Sequence, residues 1–173
     1  AEGIDFNEAD LTNANFTNAN LKTAMFYRTT VTDVIFTNAN LSGARFYKAK
    51  GLTDSQLRSA SNITGIVLSC IDLTNFNLSG LDFSGGEFSN STLSNVDFTN
   101  AILDKVWVTD STIGLSDKQL RSAKSLIGLF FSSIDISEFD LSGLNLSSGG
   151  IFKSTSLNSN FTETNFTSCT FYN

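Results

Sequence analysis

Residues 9–21 read Ala9-Asp10-Leu11-Thr12-Asn13-Ala14-Asn15-Phe16-Thr17-Asn18-Ala19-Asn20-Leu21. This is one five-residue unit repeated: a small residue, Asp or Asn, a large apolar residue, Thr or a near substitute, and a variable position. Counting in fives from Phe6 meets Leu11, Phe16, Leu21, Phe26, Val31, Phe36, Leu41 and Phe46 without a miss. A helix buries residues at a spacing near 3.6 and a strand at 2, so neither regular element fits. A chain that turns a corner every five residues does fit. Four corners close a square coil of 20 residues, with the large and the small residue pointing in and the other three out. Coils then stack at the strand spacing of about 4.8 Å, each satisfying the backbone of the next. One coil cannot bury its apolar column alone, whereas several can.

These tandem units resemble pentapeptide-repeat proteins, whose consensus is A(D/N)LXX, over nearly the whole chain. The resemblance implies an all-β solenoid, a right-handed quadrilateral β-helix. Composition agrees with that frame. The chain has 16 Phe for an aromatic column and no Pro among 173 residues, as expected where each N–H is needed for stacking. The formal charge of −6 argues against direct nucleic-acid binding. No apolar run reaches the roughly 18 residues of a membrane span.

The regular block covers residues 4–50, with Ala9, Ala14, Ala19, Ala24, Ala39 and Ala44 at the small inward position. The rule then breaks over residues 51–61. Thr53-x-x-Gln56 there is a capping-box pattern, followed by Leu57 and Ala60, which predicts a short helix over 53–60 projecting from the coil. Counting resumes over 62–113 at Ile63, Leu68, Leu73, Leu78, Phe83, Phe88, Leu93, Phe98, Leu103, Val108 and Ile113. A second break, residues 114–124, repeats the first with Ser116-x-x-Gln119 and Leu120 at an offset of 63. The last block, 125–173, counts Leu126, Phe131, Ile136, Leu141, Leu146, Ile151, Ser156, Phe161, Phe166 and Phe171. Ser156 is its one polar centre. Phe152 and Leu157 sit beside their expected columns: either they face outward or the chain bulges to bring them in, and the constant offset favours the first. The whole is one repeat domain of about seven coils with two short helical insertions. After the first helix the second inward column enlarges to Ile66, Ile71, Phe76 and Leu81, then Leu129, Ile134, Phe139 and Leu144.

Two groups of outward residues are candidate interaction sites. Tyr27 and Arg28 lie 20 residues before Tyr47 and Lys48, so the register stacks them on one side, with Arg45 beside them and Lys22 and Lys50 adding charge. This stripe reads either as a docking site for an acidic or aromatic partner or as a solvent-facing ladder that stiffens the stack; the ladder weighs more. Trp107, the one Trp, and Phe130 occupy outward positions where Asp or Asn is usual. They read as an interaction patch or as residues covered by the second helix, and their closeness to it in sequence favours cover.

Catalysis has no support: there is no His, no Gly-rich phosphate loop and no singled-out acidic pair, so no enzyme, cofactor or metal is expected. Cys70 and Cys169 lie nearly five coils apart, too far for a disulfide within the chain. The leading reading is a non-enzymatic scaffold or protein-interaction module of unknown partner. Two further readings follow. The resemblance also implies an alternative, topoisomerase (gyrase) protection by DNA mimicry, and the Asn/Thr-rich units resemble cyanobacterial and thylakoid-lumen members. Ala1-Glu2-Gly3 is compatible with cleavage after an export signal, placing thylakoid lumen or periplasm ahead of cytoplasm, and equally with a cut fragment. Short Thr ladders such as Thr12/Thr32 raise a third reading, ice or surface binding. Open coil ends suggest an end-to-end homodimer through Phe161, Phe166 and Phe171, or a piece of a longer protein.

The register makes a direct prediction. Phe36→Asp is expected to abolish folding, because an apolar column cannot hold a charge, while Asn38→Asp leaves stability unchanged. Circular dichroism and solubility compare the two; equal behaviour would defeat the register.

Overall fold

The computed structural model describes residues 3–172 and shows a four-sided parallel β-solenoid. Among the described residues, extended strands occupy one side only. They are β1 (Met25–Tyr27), β2 (Arg45–Tyr47), β3 (Val67–Ser69), β4 (Glu87–Ser89), β5 (Trp107–Thr109), β6 (Phe130–Ser132), β7 (Gly150–Phe152) and β8 (Thr170–Tyr172). They form one parallel sheet in sequence order. The register runs Phe26, Phe46, Leu68, Phe88, Val108, Phe131, Ile151, Phe171, a step of 20 residues except across the two breaks. The other three sides stack through single bridges, such as Asp10 with Thr30, Asn15 with Ile35 and Asn20 with Asn40.

The five-residue unit is a turn with its own chemistry. The central carbonyl accepts from the N–H three residues on, as in Ala9 to Phe6 (3.1 Å), Ala14 to Leu11 (2.8 Å) and Ala19 to Phe16 (2.9 Å). The second residue after the centre is left-handed, with φ of 63° at Asn13, 61° at Asn18 and 57° at Asn38. Asn tolerates that conformation better than other residues with a Cβ, which is why the variable position is so often Asn. The Asp or Asn before the centre accepts from the amide two residues later, as Asp10 does from Thr12 (3.0 Å) and Asn15 from Thr17 (2.9 Å). Remaining amides and carbonyls go to the neighbouring coil, for example Phe6 N to Met25 O (2.9 Å) and Thr30 N to Ala9 O (3.0 Å).

The large centres form the core. Phe26, Phe36, Phe46, Phe83, Phe88, Phe98 and Phe131 are fully buried. Phe26 and Phe46 stack at 4.4 Å and 4°, and Phe16 and Phe36 at 6.0 Å and 14°. Ile66 and Leu129, the enlarged small positions, are also buried, so the column there is filled from two places per side.

The helices differ from the expectation that they project. Counting the strand side as the first, α1 (Asp54–Ser59) and α2 (Asp117–Ser122) each replace the third side of their coil, that of the Phe16 and Phe36 centres. Leu57 and Leu120 are buried in the core where a Phe or Leu centre would stand. A helical turn inserts its Leu into the same slot, so the coil lengthens only from Phe46 to Leu68 and from Val108 to Phe131. Both capping boxes form as expected. Each capping Gln also reaches the coil before. Gln56 Nε2 donates to Val31 O (2.8 Å) and Val34 O (3.0 Å), and Gln119 Nε2 donates to Leu93 O (2.7 Å) and Val96 O (3.0 Å). On the other flank Asp54 accepts from Asn77 N and Arg58 donates to Ser79 O, while Asp117 and Arg121 do the same at Asp140 and Ser142. Each helix therefore joins the coil before to the coil after. Gly51 and Gly114 open these segments because their backbone passes against Thr32 and Ser94 with φ of 79° and 76°, leaving no room for a Cβ.

One further position, Ile113, corrects the count. Ile113 is not an inward centre: Asp110 and Ser111 are both left-handed, the extra residue shifts the register, and Ile113 pairs with outward Thr92 and is 61% exposed. Phe152 and Leu157 face outward without a bulge, since Ile151 stays in register with Phe171 and Leu157 is 67% exposed.

Leu57→Ala is expected to cost about 2–5 kcal/mol, the usual range for a fully buried leucine. Gln56→Ala should cost about 1–3 kcal/mol by leaving the Val34 carbonyl unpaired, since Val31 O keeps its bond from Val34 N. Urea denaturation checks both; changes below experimental error would restore the projecting-helix reading.

Candidate interaction face

The strand side carries nearly all of the candidate residues. Each strand shows an outward residue before its centre and one after it, and β1 to β7 are each followed by a third at a left-handed corner. The corner cations are Arg28 (φ 52°), Lys48 (φ 53°) and Lys153 (φ 45°). Tyr27 and Tyr47 stack at 4.9 Å and 1°, as the register requires. Arg28 lies 5.1 Å from the Tyr27 ring centre and Lys48 Nζ 5.2 Å from that of Tyr47, so each cation covers the ring beside it. Arg28 also meets Glu8 at 3.8 Å, but both side chains are more than half exposed and the pair is solvent-screened. Tyr27 is 37% exposed and Arg45 is exposed beside it. The sequence grouped Lys22 and Lys50 with this stripe. They belong instead to the fourth and second sides, where Lys22 follows the Leu21 centre and Lys50 bridges Thr30.

Trp107 and Phe130 are not covered by α2, which sits on the third side. They lie on β5 and β6 of the strand side, directly paired, with rings 4.3 Å apart at 12°. Trp107 remains 40% exposed. Phe152 extends this cluster. Its ring folds back over Gly150, where a Cβ would strike it, and lies 5.7 Å from Phe130 and 6.0 Å from Trp107, near parallel to both. Tyr172 closes the row 4.8 Å from Phe152. The signal was present in the Gly149-Gly150 pair, which leaves the outward slot before Ile151 empty. Sequence reasoning also missed two acids of this side: Glu87, paired with Trp107 across the ladder, and Asp110, at the corner after Val108. With Trp107, Thr109 and Ser132 they line a shallow groove of about 200 Å³.

At Leu68 and Phe88 the strand side lacks the turn bond and hydroxyls take its place, Ser91 Oγ donating to Leu68 O (3.1 Å) and Thr112 Oγ1 to Phe88 O (3.2 Å), while Thr29 Oγ1 adds a second bond to Phe6 O (2.8 Å); these bonds are why the three polar residues are buried.

The electrostatics of the other sides are those of turns. Asp10, Asp72 and Asp135 on the second side and Asp97 and Asp140 on the third are held below the usual carboxylate range. The hydroxyl of the residue two on (Thr12, Thr74, Ser137, Thr99, Ser142) contributes most and its amide next. Among the described residues no group of His, Cys, Asp or Glu is placed to hold a metal ion, and no helix is long and apolar enough to cross a membrane. Cys70 and Cys169 are free thiols.

The pentapeptide-repeat family model, "Pentapeptide repeats (8 copies)", matches residues 4–43 and 66–104. The chain belongs to the pentapeptide-repeat family. The unmatched stretch between these spans contains α1, where the five-residue unit gives way. Solved structures of pentapeptide-repeat proteins are similar. HetL from the cyanobacterium Nostoc sp. strain PCC 7120, a protein involved in heterocyst differentiation regulation, is 18% identical, covering 97% of this chain and 87% of HetL, with a TM-score of 0.36. QnrB1, a plasmid-mediated fluoroquinolone resistance protein, is 19% identical over 98% of this chain and 80% of its own, with a TM-score of 0.32. AT2G44920 from the thylakoid lumen of Arabidopsis thaliana is 20% identical over 79% and 71%, with a TM-score of 0.17. No curated protein sequence matches the chain.

Acid should expose the Asp turns of this repeat protein. Their pKa values are depressed by folding, so their stabilisation is complete above the ordinary Asp value near 3.9 and is lost as pH falls through the lower folded values. The urea midpoint is expected to stay flat from about pH 7 to 5 and to fall below about pH 4. Asp72→Asn keeps the acceptor and should flatten part of that fall; an unchanged acid limb would sink the assignment.

Proposed function

We propose that this protein is a non-enzymatic scaffold, one repeat domain whose strand side binds a protein partner through Tyr27, Arg28, Arg45, Tyr47 and Lys48. The observation that carries this reading is the exposed Tyr27–Tyr47 stack with a cation against each ring. Rigid aromatic surface costs little entropy to bury, and aromatic and Arg side chains dominate interface energetics. Trp107 and Phe130 supply a second anchor on the same side. The reading takes no cofactor and no direct nucleic-acid contact, in keeping with the net charge of −6.

A second reading, protection of a topoisomerase by DNA mimicry, draws on Asp97, Asp117 and Asp140, which follow one another on the helix-bearing side. Arg121 lies 3.0 Å from Asp140 and interrupts that acidic run, so this reading ranks second. End-to-end pairing of two copies draws on Phe171, which is 53% exposed beyond Phe166.

Tyr27→Ala/Tyr47→Ala is expected to weaken partner capture by about 30-fold, the loss of about 2 kcal/mol typical of a hot spot, whereas Asn38→Asp on the third side leaves it unchanged. Affinity capture from the source cells followed by titration reads this; equal loss in both variants would reject the face. Inhibition of gyrase supercoiling by the purified protein would instead promote the second reading.

A further inference from the structure

The charges of the strand side are ordered along the rod. The first coil shows Asp5 and Glu8, the second Arg28, the third Arg45 and Lys48. The coil of β3 shows only Val67, Ser69 and Cys70. The next shows Glu87, the next Asp110, and the coil of β6 only Phe130, Ser132 and Ser133. Arg45 and Glu87 therefore lie one coil to either side of β3 and Arg28 and Asp110 two coils to either side, with Asp5 and Glu8 beyond Arg28 and Lys153, at the corner of the β7 coil, beyond Asp110. We propose that two copies of this chain associate antiparallel, strand side to strand side, about a two-fold axis that passes over β3 along the strand direction. The proposal rests on the reading of this side as an interaction face and names its partner.

The geometry follows from symmetry. Such an axis keeps each outward column facing itself and reverses the order of coils. Arg45 then meets the partner copy's Glu87 in the column before the centre. Arg28 meets the partner copy's Asp110 in the corner column. Met25 meets the partner copy's Trp107, a favourable sulfur–aromatic contact. Each pairing occurs twice, and no like charges meet. Arg28 must exchange its exposed 3.8 Å contact with Glu8, a change of little cost.

Competing arrangements fare worse. A parallel pairing, with the axis along the rod, sets Arg45 against Lys48 and Asp5 against Glu8. An antiparallel pairing displaced by half a coil sets Lys48 against Asp110 and Glu8 against Lys153 in the corner column, but opposes Glu87 to Val67 and Arg45 to Trp107, so the column before the centre loses its ion pair and exchange of Arg45 with Glu87 would have no effect. The face is small: about seven coils at 4.8 Å, roughly 34 Å long and one strand wide, which is the lower end of specific interfaces. The dimer should therefore be of micromolar affinity, and salt should weaken it because its selectivity is electrostatic.

The symmetry also sets Cys70 against Cys70 near the axis, a convenient probe. In a Cys169→Ala background, a short bismaleimide is expected to join two chains through Cys70. Sedimentation at tens of micromolar should show a dimer. Arg45→Glu and Glu87→Arg should each raise the dissociation constant at least tenfold, and the two together should restore it, because the swapped pair is still a pair. A monomer at that concentration overturns the dimer. So does a dimer that survives both single changes, or one lost in Phe171→Asp but never joined through Cys70, which marks end-to-end pairing. If the protein is monomeric while Tyr27→Ala/Tyr47→Ala still weakens capture of another protein, only the dimer fails and the interaction face stands.

Discussion

Every feature of this molecule depends on the hydrogen bonds between one coil and the next. A side of five residues is too short to satisfy its own backbone. It keeps one bond inside the turn and hands the rest to its neighbours, as Phe6 does to Met25 and Thr30 to Ala9. Once that exchange is in place, residues 20 apart must lie above one another, and the side chains have no freedom over which neighbour they meet. The Phe column, the Tyr27–Tyr47 stack and the Trp107–Phe130 stack are all consequences of one register.

The helices show what that constraint will tolerate. α1 and α2 interrupt the five-residue turn but keep its two obligations. Leu57 and Leu120 fill the core slot, and Gln56 and Gln119 supply the donors that the missing backbone would have offered. Asp and Arg at the helix ends then reach the following coil. A solenoid can thus exchange one side for a helix without breaking the stack, provided that both flanks are bonded. The segment leading into α2 is one residue longer than that leading into α1, and the left-handed pair Asp110–Ser111 absorbs it, turning Ile113 out to solvent.

Function follows from what the stack leaves free. The inward positions are committed to packing and the Asp or Asn positions to turns, where hydroxyls and amides hold the carboxylates ionised. Only outward positions that lack a turn role can recognise a partner. On the strand side these hold Tyr, Trp, Phe, Arg and Lys in place of Asp and Asn, so that side departs most from the repeat's own needs.

The periodicity of residues 4–50 determined the architecture by itself, because one large residue every five admits one closed way of burying it. The same count placed Tyr27 above Tyr47, and the capping boxes announced both helices. Tertiary structure alone decided the rest. That α1 and α2 are built into the third side, rather than projecting, depends on Leu57 and Leu120 finding a vacant core slot, a matter of packing that local propensity does not express. That Trp107 lies open on the strand side, away from α2, depends on how many residues each helix consumes, and near a break the count in fives no longer tells which side a residue occupies. That the Phe152 ring turns back over Gly150 depends on an empty slot 20 residues from Phe130, and a glycine in the sequence does not say which ring will fill the space it leaves.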